Sequence, residues 1–186
     1  MDWFLPILIG VGLSAACGFR VFLPLLAMSI AAQLGLLNLS PGFEWIGSDA
    51  GTVAFAVATV LEISGYFIPW VDHLLDSIAT PAAVLAGILA TASLLGDFSP
   101  FFRWGLAIIA GGGAAGLVQA STVALRGLSL TTTGGLANPV FSLFETLSAA
   151  GLSIFAILIP IVALVLVVAL ILFILNRFLR GKAKIE

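Results

Sequence analysis

The sequence predicts an all-α protein, a polytopic bundle of transmembrane helices. Of its 186 residues, 61% are hydrophobic and only 9% are charged, and the mean hydropathy is +1.25. A chain this apolar cannot maintain a water-soluble surface. Apolar runs of about twenty residues, the length that a helix needs to cross the hydrocarbon core, recur along the chain. We therefore expect a single integral membrane domain over residues 1–186.

The first apolar segment, residues 4–37, is too long for one crossing and short for two. Its 34 residues would extend about 50 Å as one helix. Gly18 and Pro24 lie in its middle, and proline removes a backbone donor and clashes with the preceding turn. We expect a break near residues 17–24, as either a broken helix or a re-entrant hairpin.

The remaining apolar runs predict four or more further membrane segments. Residues 50–68, 80–96 and 104–125 each fit one crossing. The last run, residues 139–180, again exceeds one crossing, with Gly151 and Pro160 as candidate breaks. The total is five to six membrane segments.

Basic residues gather after the last apolar run. Four of the seven in the chain fall within a short tail, residues 176–186. By the positive-inside rule, this tail predicts that the C-terminus lies in the cytoplasm. Asp2 and the absence of a basic residue before the first apolar run argue against a cleaved signal peptide.

Four charged residues lie inside or beside apolar segments: Arg20, Glu62, Arg126 and Glu145. A charge exposed to lipid costs at least a few kcal/mol, by roughly the insertion scales, so such residues face protein or water and meet opposite charges. We expect the two arginines to neutralise the two glutamates in some pairing. The pairs either line a polar path for an ion or solute, or hold the helices in register.

A polar, helix-breaking stretch follows the glycine-rich run at residues 110–116. Its candidate path residues are Gln119, Arg126, Thr131, Thr132, Thr133 and Asn138. Its candidate helix-breaking residues are Gly134, Gly135 and Pro139. We expect a break near residues 126–140 that forms either a pore or substrate loop at membrane depth or an ordinary exposed loop.

A smaller acidic group lies between the second and third predicted spans. Asp72, His73 and Asp76 fall within five residues, as a candidate proton or cation site or as a surface helix with its acids in water. One histidine beside two carboxylates has too few ligands for a convincing zinc site. We therefore expect no bound metal and no cofactor. The single cysteine, Cys17, is read as a packing residue.

Two stretches of small residues that end in arginine suggest an internal repeat. Residues 12–20 and 116–126 resemble each other, and an acid in an apolar segment follows each, Glu62 and Glu145. Arg20 and Glu62 are 42 residues apart, whereas Arg126 and Glu145 are only 19 apart. An inverted repeat, as in many transporters, and chance similarity among apolar segments both remain open.

Three sequence stretches carry a family resemblance: CGFR at residues 17–20, EISGYFIPWVDHLLD at 62–76 and TTTGGLANP at 131–139. With their surroundings, from about residue 15 to 139, they resemble the bacterial integral-membrane family catalogued as domain of unknown function 4126. The resemblance implies a small multi-span protein of a bacterial membrane, which we expect to be the inner, cytoplasmic one. It implies no substrate or reaction.

The favoured function is a small channel or transporter for an ion or small polar solute, built as a homo-oligomer in the lipid bilayer. The alternative is a non-transporting scaffold or assembly factor whose buried charges fix helix packing. An enzyme is disfavoured, because the sequence has no paired histidines, no cysteine dyad and no GxSxG motif. Nucleic-acid binding is disfavoured by the acidic pI of about 5.2.

Overall fold

The computed structural model describes residues 3–134 and 136–182, and over these ranges the protein is all-α with no strand. The helices are α1 (Phe4–Cys17), α2 (Phe22–Gln33), α3 (Asp49–Gly65), α4 (Pro69–Ala92), α5 (Pro100–Leu106), α6 (Gly113–Thr133), α7 (Asn138–Leu158) and α8 (Pro160–Lys182). A short 3₁₀ turn, Glu44–Gly47, precedes α3. A π-helix, Ala107–Gly112, joins α5 to α6, so that Pro100–Thr132 forms one long helical element.

The predicted break in the first segment is present, and it lies at residues 18–21 between α1 and α2. Gly18 allows close packing here, because a Cβ at this position would lie 2.6 Å from Val118 Cβ on α6. Pro24 is not part of the break, contrary to expectation. It is the third residue of α2, where the missing amide hydrogen costs no intrahelical bond.

The second predicted break is shorter than expected and lies between Thr133, the last residue of α6, and Asn138, the first residue of α7. Gly134 ends α6 with φ +62°, a left-handed conformation that glycine adopts without strain, and Pro139 lies in the first turn of α7. Thr131–Thr133 form the last turn of α6, so the expected threonine loop is wrong. The low helix propensity of threonine costs well under about 1 kcal/mol per residue, and α6 continues through these threonines to the left-handed glycine cap at residue 134. Gly135 lies outside the described residues.

The C-terminal run divides once, at Ile159, between α7 and α8. Pro160 is the first residue of α8, as its fixed φ favours, whereas Gly151 lies inside α7 and does not break it. One glycine costs a helix only about 1 kcal/mol, which packing readily offsets. Residues 69–80 likewise form no separate surface segment, because α4 is continuous from Pro69 to Ala92.

Helix α1 lies at the centre of the bundle, in contact with α4, α6, α7 and α8. Its last four residues, Ser14, Ala15, Ala16 and Cys17, are small and fully buried. The Ser14 hydroxyl donates to the Gly87 carbonyl oxygen of α4 at 2.6 Å. Small residues and interhelical hydrogen bonds of this kind bring helices close together in an apolar medium.

Two helices in the described part of the chain are long and apolar enough to cross a membrane, Pro100–Thr132 and Asn138–Leu158. Shorter apolar helices are Phe4–Cys17, Phe22–Gln33, Ser77–Ala92 and Pro160–Phe173. The expected five to six crossings are therefore not all accounted for by helix length. The inverted repeat is not confirmed, because Arg20 lies in a break whereas Arg126 lies within a helix.

Candidate functional site

Arg20 leaves the first helix break and reaches α7, where its guanidinium is buried. Only 1% of the residue is exposed. Nη2 donates to the carbonyl oxygen of Ser142 at 2.9 Å and to its hydroxyl at 2.6 Å, and Nε donates to the Thr146 hydroxyl at 3.1 Å. The break is what permits this reach, since residues 18–21 leave the helical path of α1 and turn the side chain toward α7.

Arg126 and Glu145 form a two-bonded ion pair between α6 and α7. Arg126 Nε donates to Glu145 Oε1 at 3.0 Å, and Arg126 Nη2 donates to Oε2. The two residues are 3% and 5% exposed. Such a pair, in which a planar guanidinium matches a carboxylate, is the favourable geometry for two charges removed from water.

Glu145 also connects the two arginines. Its Oε2 atom lies 3.6 Å from Arg20 Nη2, longer than a hydrogen bond but well within strong Coulombic attraction in a medium of low dielectric. One carboxylate therefore sits between two guanidinium groups. The helix break, α6 and α7 are joined at this carboxylate.

Tyr66, the residue that follows α3, contacts the same two arginines through its ring. The guanidinium carbons of Arg20 and Arg126 are each 4.1 Å from the centre of its ring. Both contacts are cation–π interactions, which gain strength where water is excluded, as for this 6%-exposed tyrosine. Arg20, Tyr66, Arg126 and Glu145 thus form one buried cluster. Through Tyr66, the cluster joins the end of α3 to the helix break, α6 and α7.

Glu62, the fourth charge, binds backbone rather than arginine. Its carboxylate accepts hydrogen bonds from the backbone amides of Val21 at 2.8 Å and Phe22 at 3.1 Å. These amides lie at the N-terminus of α2, where orphan N–H groups and the helix dipole favour a negative charge. Glu62 thus fixes the start of α2, directly after Arg20, but forms no close ion pair with Arg20.

One donor of the cluster is unsatisfied. Arg20 Nη1 is buried and has no hydrogen-bond partner among the described residues. Buried polar atoms without a partner are rare, and each costs about 1–3 kcal/mol or more when charged. The acceptors of Arg20 are neutral groups of Ser142 and Thr146, while Glu145 is bonded to Arg126.

The structure thus brings together Arg20, Arg126 and Glu145, with Glu62 at the adjacent helix start. Gln119 is buried on α6 and Asn138 is buried at the start of α7. Thr131 and Thr132 are exposed and donate to the Leu128 carbonyl oxygen of their own helix, so they lie apart from the cluster. The side chains of Asp72, His73, Asp76 and Thr133 lie outside the described residues.

Sequence reasoning missed Tyr66, Ser142 and Thr146. The last two had a detectable signal, since Ser142, Glu145, Thr146 and Ala149 recur at the spacing of one helix face and form a stripe of polar and small residues on α7. Tyr66 is the only tyrosine of the chain, but nothing in the neighbouring sequence predicts that its ring contacts two arginines.

An apolar groove of about 530 Å³ lies between α6, α7 and α8. Phe19 lines it next to Arg20, and Phe144 and Ser148 line it on either side of Glu145. Within the described residues no three His, Cys, Asp or Glu side chains are grouped as a metal site would require.

A family model described as "Domain of unknown function (DUF4126)" matches residues 7–180. No curated protein and no solved structure matches the chain.

Proposed function

Because this chain belongs to the DUF4126 family, whose description gives no activity, we propose its function from the buried charges: a small membrane transporter for an ion or small polar solute. Arg20, Arg126 and Glu145 form the polar centre, and Glu62 holds the adjacent helix start. The chain spans a bacterial inner membrane five to six times as a homo-oligomer, with its C-terminus in the cytoplasm.

The inside-out distribution of side chains supports membrane insertion. Large apolar residues face outward on α3, α7 and α8, including Leu61 at 66%, Leu147 at 64% and Val165 at 62% exposure. The four charged residues Arg20, Glu62, Arg126 and Glu145 are buried instead. Water would oppose this arrangement, whereas hydrocarbon favours it, because lipid-facing surface is apolar and charges turn inward.

The single observation that carries transport is the position of the charged cluster at a helix break. Arg20 lies in the break between α1 and α2, and the N-terminus of α2 points at a carboxylate. Broken helices whose ends face charged groups are the usual construction of a transporter binding site. A purely apolar contact would hold these helices together at no desolvation cost. Helix packing alone therefore does not explain why charged residues are buried here.

The closed state of the cluster favours a transporter over an open channel. Arg20, Arg126 and Glu145 are all at least 95% buried, so an ion reaches them only after the helices move. The contacts at the cluster join the break to α7 and α6 by hydrogen bonds and ion pairs that can exchange partners. We therefore place the conformational change of transport at these contacts.

Solute flux into proteoliposomes tests the proposal. The wild type is compared with Arg20→Ala, Glu62→Gln and the control Glu44→Gln, whose carboxylate lies on an exposed turn, over a panel of ions and small polar solutes. We expect flux of at least one solute that both buried-charge variants reduce by tenfold or more and the control leaves intact. If no protein raises the permeability of the liposomes to any solute of the panel above that of protein-free liposomes, the proposal is rejected.

The full engagement of both carboxylates favours a second candidate, a non-transporting scaffold. Glu145 has Arg126, and Glu62 has the amides of α2, so each acid already has a structural role. In this case the cluster only fixes helix packing. The scaffold predicts normal folding and no protein-dependent flux, and it predicts that Arg126→Glu with Glu145→Arg restores the stability lost in either single variant.

A further inference from the structure

We propose that Arg20 forms the binding site for a small monovalent oxyanion with a planar head, such as a carboxylate, held at Nη1. The inference names the class of solute for the proposed transport function. Movement of the anion across the membrane rests on that function, whereas binding of the anion does not. Binding itself is tested separately.

Arg20 is the one charge of the cluster that lacks a hydrogen-bonded partner of opposite charge among the described residues. Glu145 is bonded at both oxygens to Arg126, and Glu62 is bonded at both oxygens to backbone amides. The acceptors of Arg20 are two hydroxyls and a carbonyl oxygen. A buried guanidinium in this state has unused capacity for an anion.

Nη1 is the atom that would receive the anion. It is buried without a partner in the described part of the chain, whereas Nε and Nη2 are both used. A guanidinium presents its N–H groups in its own plane, and this geometry matches a planar carboxylate or nitrate rather than a point charge. Arg20 is 1% exposed, so an anion reaches Nη1 only after the surrounding helices move.

The surrounding charges disfavour a ligand with two negative charges. Two arginines and two glutamates cancel in formal charge, and Glu145 Oε2 lies 3.6 Å from Arg20 Nη2. A divalent anion would meet strong repulsion from this carboxylate at low dielectric. A cation would meet the positive charges of Arg20 and Arg126, which both contact the Tyr66 ring, so the site selects against cations.

The experiment measures thermal unfolding of the full-length protein in a nonionic detergent at constant ionic strength. Sodium formate and sodium nitrate are the probes, with sodium gluconate as the bulky and sodium sulfate as the divalent control. A ligand that binds only the native state raises Tm with concentration. We expect formate and nitrate to raise Tm in a saturable manner, and gluconate and sulfate to have no such effect.

Arg20→Lys keeps the charge but removes Nη1, so we expect it to weaken formate binding roughly tenfold or more, the effect of losing a charged hydrogen bond. The matched control is Arg103→Lys, in an arginine that binds the Leu95 and Gly96 carbonyl oxygens outside the cluster. The control is expected to retain the formate response of the wild type.

Two results of the unfolding experiment would overturn the inference. One is a formate response in Arg20→Lys equal to that of the wild type, which would assign binding to another basic group. The other is a wild-type Tm that responds equally to formate and gluconate, and this readout holds even if Arg20→Lys does not fold. Flux of a cation or neutral solute without formate binding would reject the anion site and leave the proposed transport function standing. Formate binding without flux of any solute would reject the transport function alone.

Discussion

Arg20 and Glu145 show that single residues in this protein have more than one partner. Arg20 holds two α7 residues and stacks on Tyr66, while Glu145 is bonded to Arg126 and attracts Arg20. In a dry interior, an ion that loses its partner retains its full desolvation cost. The cluster is therefore more sensitive to removal of one charge than to removal of an opposite pair.

Glu145→Gln should destabilise the protein by about 3–5 kcal/mol, because it leaves the Arg126 charge uncompensated inside the bundle. Thermal unfolding in detergent measures the effect. The paired variant Arg126→Met with Glu145→Leu is expected to recover most of the loss. Equal stability of Glu145→Gln and wild type would show that the ion pair contributes nothing.

Gly18→Ala should also destabilise the protein, because the added Cβ would lie 2.6 Å from Val118 Cβ and against the Ala115 carbonyl oxygen. The neighbouring backbone of α6 must then move, at a cost of about 1–3 kcal/mol. The control is Gly127→Ala on α6, where the added Cβ would meet open space. This variant should stabilise α6 by about 0.5–1 kcal/mol. A Gly18→Ala protein that unfolds at the wild-type temperature would argue against close packing at the break.

At the scale of elements, the start of α2 depends on a side chain from another helix. Val21 is the residue before α2, Phe22 is its first residue, and both amides donate to Glu62 of α3. The cap therefore ties the two helices together and fixes where the break ends, next to Arg20. It is a long-range version of the capping that an aspartate or serine usually provides within its own chain segment.

Glu62→Ala should fray the first turn of α2, because the amides of Val21 and Phe22 lose their acceptor. Hydrogen–deuterium exchange of the peptide that spans residues 19–25 should accelerate by about tenfold or more, as loss of 1–3 kcal/mol predicts. Leu61→Ala, on the exposed side of α3, should leave this exchange unchanged. Protection of residues 21 and 22 in Glu62→Ala equal to that in wild type would show that α2 is held by other contacts.

At the scale of the whole molecule, sequence reasoning predicted the all-α class, both helix breaks and the inward charges, since all follow from apolar composition, glycine and proline positions and the cost of charge in lipid. It placed Thr131–Thr133 in a loop, because local polarity cannot reveal that α6 continues to Gly134. It could not assign Glu62 to the amides of Val21 and Phe22, because these residues are separated from Glu62 by 41 and 40 positions in the sequence.

The most direct test of the central claim is flux through proteoliposomes that contain Arg126→Glu with Glu145→Arg, beside the wild type and each single variant. The double variant keeps opposite charges across α6 and α7 but exchanges their positions beside Arg20 and Tyr66. If the cluster is the transport site, the double variant should regain thermal stability over the single variants yet lose at least tenfold in flux. Full wild-type flux in a stable double variant would contradict the account and leave the charges with a packing role alone.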